Sequence, residues 1–345
     1  MRKITITYKL LHFLQPAGTS RGVYNTRLSF YLKLTSDEQP DVVGVGECAT
    51  LPDLSCDAMP PNDYERKLRT FCDEYEHTGV IDYEAMRAYP SMLFGLETAV
   101  AQFNAKGSLN FFDTLFGRGE EGIPINGLVW MGTFEEMFER LEAKLKAGFR
   151  CIKIKIGAID FDRELQLIRH IRSTFSRKDV ELRVDANGGF TPKEALSRME
   201  ALVQYDIHSI EQPIKQHQWT EMARLCAATP LPIGLDEELI GVNERQKKIE
   251  LLDTIRPQYI VLKPSLHGGM AGTAEWIQLA RERNIGSWIT SALESNVGLN
   301  AIAQLTASIY GTNIRHAQGL GTGQLFADNI EMPLKVIGDK LWIVQ

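Results

Sequence analysis

INGLVWMGTFEEMFERLEAKLKAGFRCIKIKI, residues 125–156, reads as a strand, a helix and a second strand in succession. INGLVW and CIKIKI are short apolar runs of the kind that form parallel strands. Between them the helical pattern opens on Thr133 as N-cap, with Glu136 as its capping-box partner, and stops at Gly148. The alternation continues through ELRVDA (181–186), HSIEQP (208–213), PIGLDE (232–237), YIVLKP (259–264) and GSWITS (286–291). Seven strands with seven helices point to a barrel, with an open doubly wound sheet as the alternative that periodicity alone allows.

Upstream the character differs. RLSFYLKL (27–34) and VVGVGEC (42–48) alternate as strands do, Tyr64 to about Tyr75 is helical, and FGLETAVAQFNA (94–105) carries apolar residues at helical spacing before Lys106-Gly107. The first 120 residues therefore read as α+β. A chain of 345 residues exceeds the size at which one core usually stops growing, so two domains are expected, with the boundary near residue 120.

Composition narrows the function. No apolar run approaches the ~20 residues of a membrane span. The N-terminus, MRKITITYKLLHFL, has strand-like alternation and lacks the apolar centre of a signal peptide, which implies a cytoplasmic protein. Five scattered cysteines form no CxxC pair and read as reduced thiols. A net charge of −6 without a basic cluster excludes a nucleic-acid or anionic-membrane footprint. The expected partner is a small molecule, and a homo-oligomer is compatible with these features.

Barrel strands are buried on both faces, yet these carry charges. Lys153 and Lys155 lie on the second strand, Asp185 ends the third, Glu211 the fourth, Asp236 and Glu237 the fifth, and Lys263 the sixth. All sit near the C-terminal strand ends, where barrel active sites are built. Asp185, Glu211 and Asp236 would present carboxylates side by side, and a hard divalent cation such as Mg²⁺ removes their repulsion. Strands two and six face each other across an eight-strand ring, so Lys155 and Lys263 would approach a bound substrate from opposite sides. For any one of these residues a structural ion pair, such as Lys155 with Asp185, is the commoner explanation. For the set, chemistry explains the pattern better. Lys153 lies deeper than Lys155 and Glu237 alternates away from Asp236, so both read as supporting residues. His267 reads as a loop residue, and no histidine is assigned to the site.

KIKIG (Lys153, Lys155), RVDANGG (Asp185, Asn187), IEQP (Glu211), GLDEEL (Asp236) and VLKPSLHGG (Lys263) resemble the enolase superfamily, and more narrowly its muconate-lactonizing subgroup. VGVGECATLP and FGLETAV extend the likeness into that family's capping domain. The resemblance implies a modified (β/α)7β TIM-type barrel over 121–324. It also implies an α+β capping domain over 1–120, completed by residues 325–345. It implies Mg²⁺, with Mn²⁺ as a substitute, held by Asp185, Glu211 and Asp236. Lys155 would be the base that removes a proton beside a carboxylate, Lys263 the cation on the other face, and Lys153, Asn187 and Glu237 their support. VLKPSLHGG, SALESNVGLNAIAQL and QGLGTGQLF resemble the subgroup's dehydrating members, which act in menaquinone biosynthesis. The DxD motif of its dipeptide epimerases is absent where this chain reads Gly319-Leu320-Gly321-Thr322-Gly323. A racemase or epimerase using the same lysines is the alternative. Schiff-base aldolase chemistry would leave the acidic triad unexplained, and a non-catalytic binding protein should have lost a ligand or a lysine. Arg183, Ser291, Ser295 and Arg21 are candidate substrate contacts, and 18–22 and 51–55 are candidate lid segments.

Overall fold

The computed structural model describes residues 1–19, 22–157 and 160–344. An antiparallel sheet is formed by β1 (Arg2–Thr19), β2 (Gly22–Ser36) and β3 (Gln39–Cys48), in that order. Helices α1 (Pro61–Thr78) and α2 (Pro90–Asn104) cover one face of it. Ile4, Leu32 and Leu34 of the sheet pack against Leu68, Cys72, Leu93 and Leu96 of the helices, a core separate from the larger one that follows.

After the short β4 (Ile123–Pro124), strands β5 (Gly127–Val129), β6 (Cys151–Lys155), β7 (Glu181–Asp185), β8 (Ile207–Glu211), β9 (Ile233–Leu235), β10 (Tyr259–Leu262) and β11 (Gly286–Ile289) form one parallel sheet in chain order. The intervening helices are α3 (Phe134–Lys146), α4 (Phe161–Thr174), α5 (Pro192–Val203), α6 (Trp219–Ala228), α7 (Arg245–Ile255) and α8 (Gly269–Arg281), and α9 (Asn296–Tyr310) follows β11. Gln318 bridges Ile125 beside β5 and Gly319 bridges Thr290 beside β11, so a short eighth strand curls the sheet into a barrel. The open-sheet alternative is thereby excluded. Thr133 and Glu136 make the expected capping box, and Gly148 takes the left-handed conformation beyond the end of α3.

The chain then returns across the first sheet. Leu14 N–H donates to Leu325 O at 2.8 Å and Ala327 N–H to His12 O at 2.8 Å, before the hairpin β12 (Leu334–Ile337) and β13 (Lys340–Ile343) pairs with β4. A third apolar cluster spans the mouth of the barrel, joining Ala17 and Leu51 to Leu266, Ala292 and Leu293. Among the described residues, no helix is long and apolar enough to cross a membrane.

Candidate active site

Along β6, Ile152 and Ile154 are fully buried in the apolar core, so the alternating Lys153 and Lys155 turn to the barrel interior. Register sets Lys155 beside Asp185 and Asp185 beside Glu211. Lys153 Nζ donates to Asp185 Oδ2 at 2.7 Å and Glu211 Oε1 at 2.6 Å. Lys155 Nζ donates to Asp185 Oδ2 and Asn187 Oδ1, each at 2.7 Å. Asn187 Nδ2 in turn donates to Glu237 Oε1 at 2.9 Å. Across the ring, Lys263 Nζ donates to both oxygens of Asp236. Seven of these eight residues line one cavity of ≈ 110 Å³, closed above by Tyr24, Leu51 and Leu54 and at the side by Trp130 and Leu293, and Asp185 is bonded to two of them, Lys153 and Lys155.

The charges govern one another. Burial raises the Asp185 carboxyl, but Lys153 and Lys155 outweigh it and hold Asp185 far below the usual carboxylate range. Burial and the adjacent Asp185 carboxylate push Glu211 well up against the opposing pull of Lys153. Asp236 is lowered, since Lys263 and Lys153 exceed the desolvation cost. Burial alone would lower the ammonium groups of Lys153 and Lys263, yet their carboxylate neighbours raise both. Burial raises Glu237, with Asp236 and Asp185 adding to it.

The donor set suits a hard divalent cation: three carboxylates from adjacent strands, one of them pushed up by burial and then by its carboxylate neighbours. Among the described residues, no three His, Cys, Asp or Glu side chains stand at metal-holding spacing, and each of the three carboxylates is paired with a lysine ammonium group. Enolase-superfamily enzymes generally use Mg²⁺.

Other expectations need correction. Arg183 faces inward but lies one layer below the site, level with Lys153 and Ser209. Its guanidinium is spent on Glu181 at 2.7 Å and Ala317 O at 2.9 Å and lies 4.3 Å from the Trp288 ring centre, so it is not placed to touch substrate. Ser295 is the buried N-cap of α9, bonded to Glu47, and does not reach the cavity. Ser291 does line the cavity and shares a hydrogen bond with Thr322 at 2.6 Å. Arg21 lies outside the described residues, as does Ser20, so only part of the 18–22 segment is described. Glu237 is not on a strand: β9 ends at Leu235 and a 3-10 turn over Glu237–Leu239 brings it beside Asn187.

Two residues went unassigned in the sequence. Buried Gln212, at a positive φ of 40°, accepts Asp236 N–H and Glu238 N–H through Oε1, each at 3.2 Å, and so fixes the exit of β9. His267 is no passive loop residue. Burial depresses it to about 3, and its neutral Nδ1 accepts Lys263 N–H at 2.8 Å, bracing the turn that carries Lys263.

These features define the class. The chain belongs to the enolase superfamily: the family described as enolase C-terminal domain-like matches residues 136–336. Its relatives include o-succinylbenzoate synthase of Desulfotalea psychrophila (strain LSv54 / DSM 12343), 45% identical over 96% of each chain. The crystal structure of MenC from Desulfotalea psychrophila LSv54 superposes with a TM-score of 0.83 at 41% identity, covering 99% of both chains. The L-Ala-D/L-Glu epimerase of Bacillus subtilis is 31% identical over 50% of this chain and 47% of its own. Its substrate-liganded structure shares the fold, with a TM-score of 0.80 at 22% identity over 99% of this chain and 96% of that one.

Proposed function

We propose that this enzyme is a hydro-lyase that converts 2-succinyl-6-hydroxy-2,4-cyclohexadiene-1-carboxylate to o-succinylbenzoate, a step of menaquinone biosynthesis. The observation that carries the reading is the placement of Lys155 and Lys263 on opposed strands of one cavity, with Asp185, Glu211 and Asp236 between them. The full-length likeness to the Desulfotalea psychrophila synthase selects dehydration among the reactions such a site can run.

Asp185, Glu211 and Asp236 would hold Mg²⁺, for which Mn²⁺ should substitute. When bound, the cation stabilises the negative charge that develops on the substrate carboxylate. Lys155 Nζ takes the ring proton beside that carboxylate, and the electron pair moves into the ring. The same Nζ, now an ammonium, returns the proton to the departing hydroxyl, releasing water and leaving the aromatic ring. Asn187 and Glu237 orient Lys155 from behind. Lys263, tied to both oxygens of Asp236, remains a cation beside the developing charge, whereas racemisation would require it to act as a base. We read residues 1–120, with 325–345, as the capping unit and 121–324 as the catalytic barrel. The bonds of Leu14 with Leu325 and of Ala327 with His12 support that division.

The test is to mix purified enzyme and Mg²⁺ with the cyclohexadiene carboxylate and follow aromatisation in the ultraviolet. N-succinyl amino acids and dipeptides run in parallel in D₂O. Racemisation at a kcat/KM equal to or above that of dehydration would overturn the assignment.

A further inference from the structure

The barrel wall is incomplete on one side. Asn126 N–H donates to Gln318 O at 3.0 Å and Gln318 N–H to Pro124 O at 2.8 Å, at the base of the seam between β5 and the eighth strand. Above that point, among the described residues, no backbone hydrogen bond joins Leu128 or Val129 to residues 320–323. A cavity of ≈ 550 Å³ fills the gap, within the size range of small-molecule sites. It shares Leu128, Trp130, Lys153 and Thr290 with the catalytic cavity, so the two spaces meet at a common wall.

Its chemistry is one-sided. The lining contains Arg140, Lys144 and Lys153 and no Asp or Glu, among otherwise apolar and neutral side chains. Lys153 is already matched by Asp185 and Glu211. Arg140 gives two hydrogen bonds to the carbonyls of Trp130 and Met131, and Lys144 lies 5.1 Å from the Phe149 ring centre. Among the described residues, neither forms a salt bridge. Arg140 shares the space beside Gly132 with the Glu136 carboxylate without pairing to it, so the two cations, Lys144 above all, give the cleft a positive wall that suits an organic anion.

We propose that this seam cavity receives the carboxylate-terminated side chain of the substrate, with Lys144 and Arg140 binding the carboxylate. The proposal rests on the reading above, in which the substrate carries a second carboxylate at the end of its succinyl arm. The ring carboxylate stays among the strand-end residues while the arm passes Leu128 and Trp130 into the seam.

Two perturbations test it independently. Lys144→Met removes one cation from a partly exposed position on α3. Gly321 lines the seam with a φ outside the left-handed region, and a Cβ built there meets only Asn126 O and Ile125 Cδ1, each at 3.6 Å. Gly321→Asp and Gly321→Asn therefore add side chains of the same size that differ in charge. We expect Lys144→Met, and Gly321→Asp relative to Gly321→Asn, to raise KM about tenfold, the effect of one partly desolvated charge, with kcat within about twofold. For an analogue ending in a carboxamide, wild type and Lys144→Met should share one KM. Free succinate should inhibit competitively, and more weakly in Lys144→Met. Unchanged KM in both variants, an equal rise for acid and amide, or non-competitive succinate inhibition, which marks a separate anion site, would each overturn the seam assignment and leave the dehydratase reading standing. A wild-type enzyme that turns over neither compound would remove both.

Discussion

Replacing Glu47 by alanine should loosen the first sheet from the barrel. Glu47 is buried on β3, and its carboxylate collects four donors. Oε1 accepts from Ser29 Oγ and from Ser295 N–H, each at 2.9 Å, and Oε2 accepts from Ser295 Oγ and from Gly298 N–H at 2.9 Å. Three of the four belong to the first turn of α9 or its cap, 248 to 251 residues away in the chain. The two hydroxyls can rotate to other partners, but the two backbone N–H groups cannot. Each buried donor left unmade costs about 2 kcal/mol, so Glu47→Ala should lose ~4 kcal/mol. A chain of this size shifts by roughly 2 °C per kcal/mol, giving a Tm lower by about 8 °C in calorimetry. Ser295→Ala removes only the cap hydroxyl and should cost about 1 kcal/mol, which provides an internal scale. If Glu47→Ala melted within about 2 °C of wild type, or no lower than Ser295→Ala, the carboxylate could not be the tie between the first sheet and α9.

Lys155→Arg keeps a cation but loses the base, and kcat should fall by about 10³-fold or more in the aromatisation assay, whereas Lys263→Arg should retain measurably more activity. Near-wild-type turnover by Lys155→Arg would end its role as base. Excess EDTA should abolish turnover, and MgCl₂ should raise the wild-type Tm but not that of Asp185→Asn, Glu211→Gln or Asp236→Asn, as scanning calorimetry would reveal. His208 is held down to about 4, first by burial and then by Arg183 and His316, with Glu181 opposing. It therefore binds its proton less readily folded than unfolded, so its stability contribution is complete above about pH 6.5 and is lost as pH falls through about 4. Urea titrations at several pH values should show that decline flattened in His208→Gln, and parallel curves would refute it.

The strands and the inward charges were legible because a parallel barrel strand tolerates few polar residues, so Lys155, Asp185, Glu211 and Lys263 stood out against their apolar neighbours. Alternation says which way a side chain faces but not how deep it lies, and Arg183 was misplaced for that reason. Ser295 was misread because its partner, Glu47, comes from the other end of the chain. Asp236 was read as a strand residue, although the strand has already ended and Gln212 sets its backbone. Nothing local to IEQP or SLHGG announces that Gln212 and His267 brace neighbouring turns; only their burial reveals it.

The return of the chain across its own first strand governs when the protein can finish folding. His12 and Lys9 bond to Asp328, and Leu14 to Leu325, more than 300 residues apart. At a synthesis rate of ~5–20 residues per second, β1 waits roughly 15–60 s on the ribosome before those partners are made. Throughout that interval Tyr8, Leu10 and Leu14, which stay exposed even in the finished fold, sit on a strand still lacking those contacts. The nascent chain is open to mispairing there, and that hairpin is a segment a chaperone would shield.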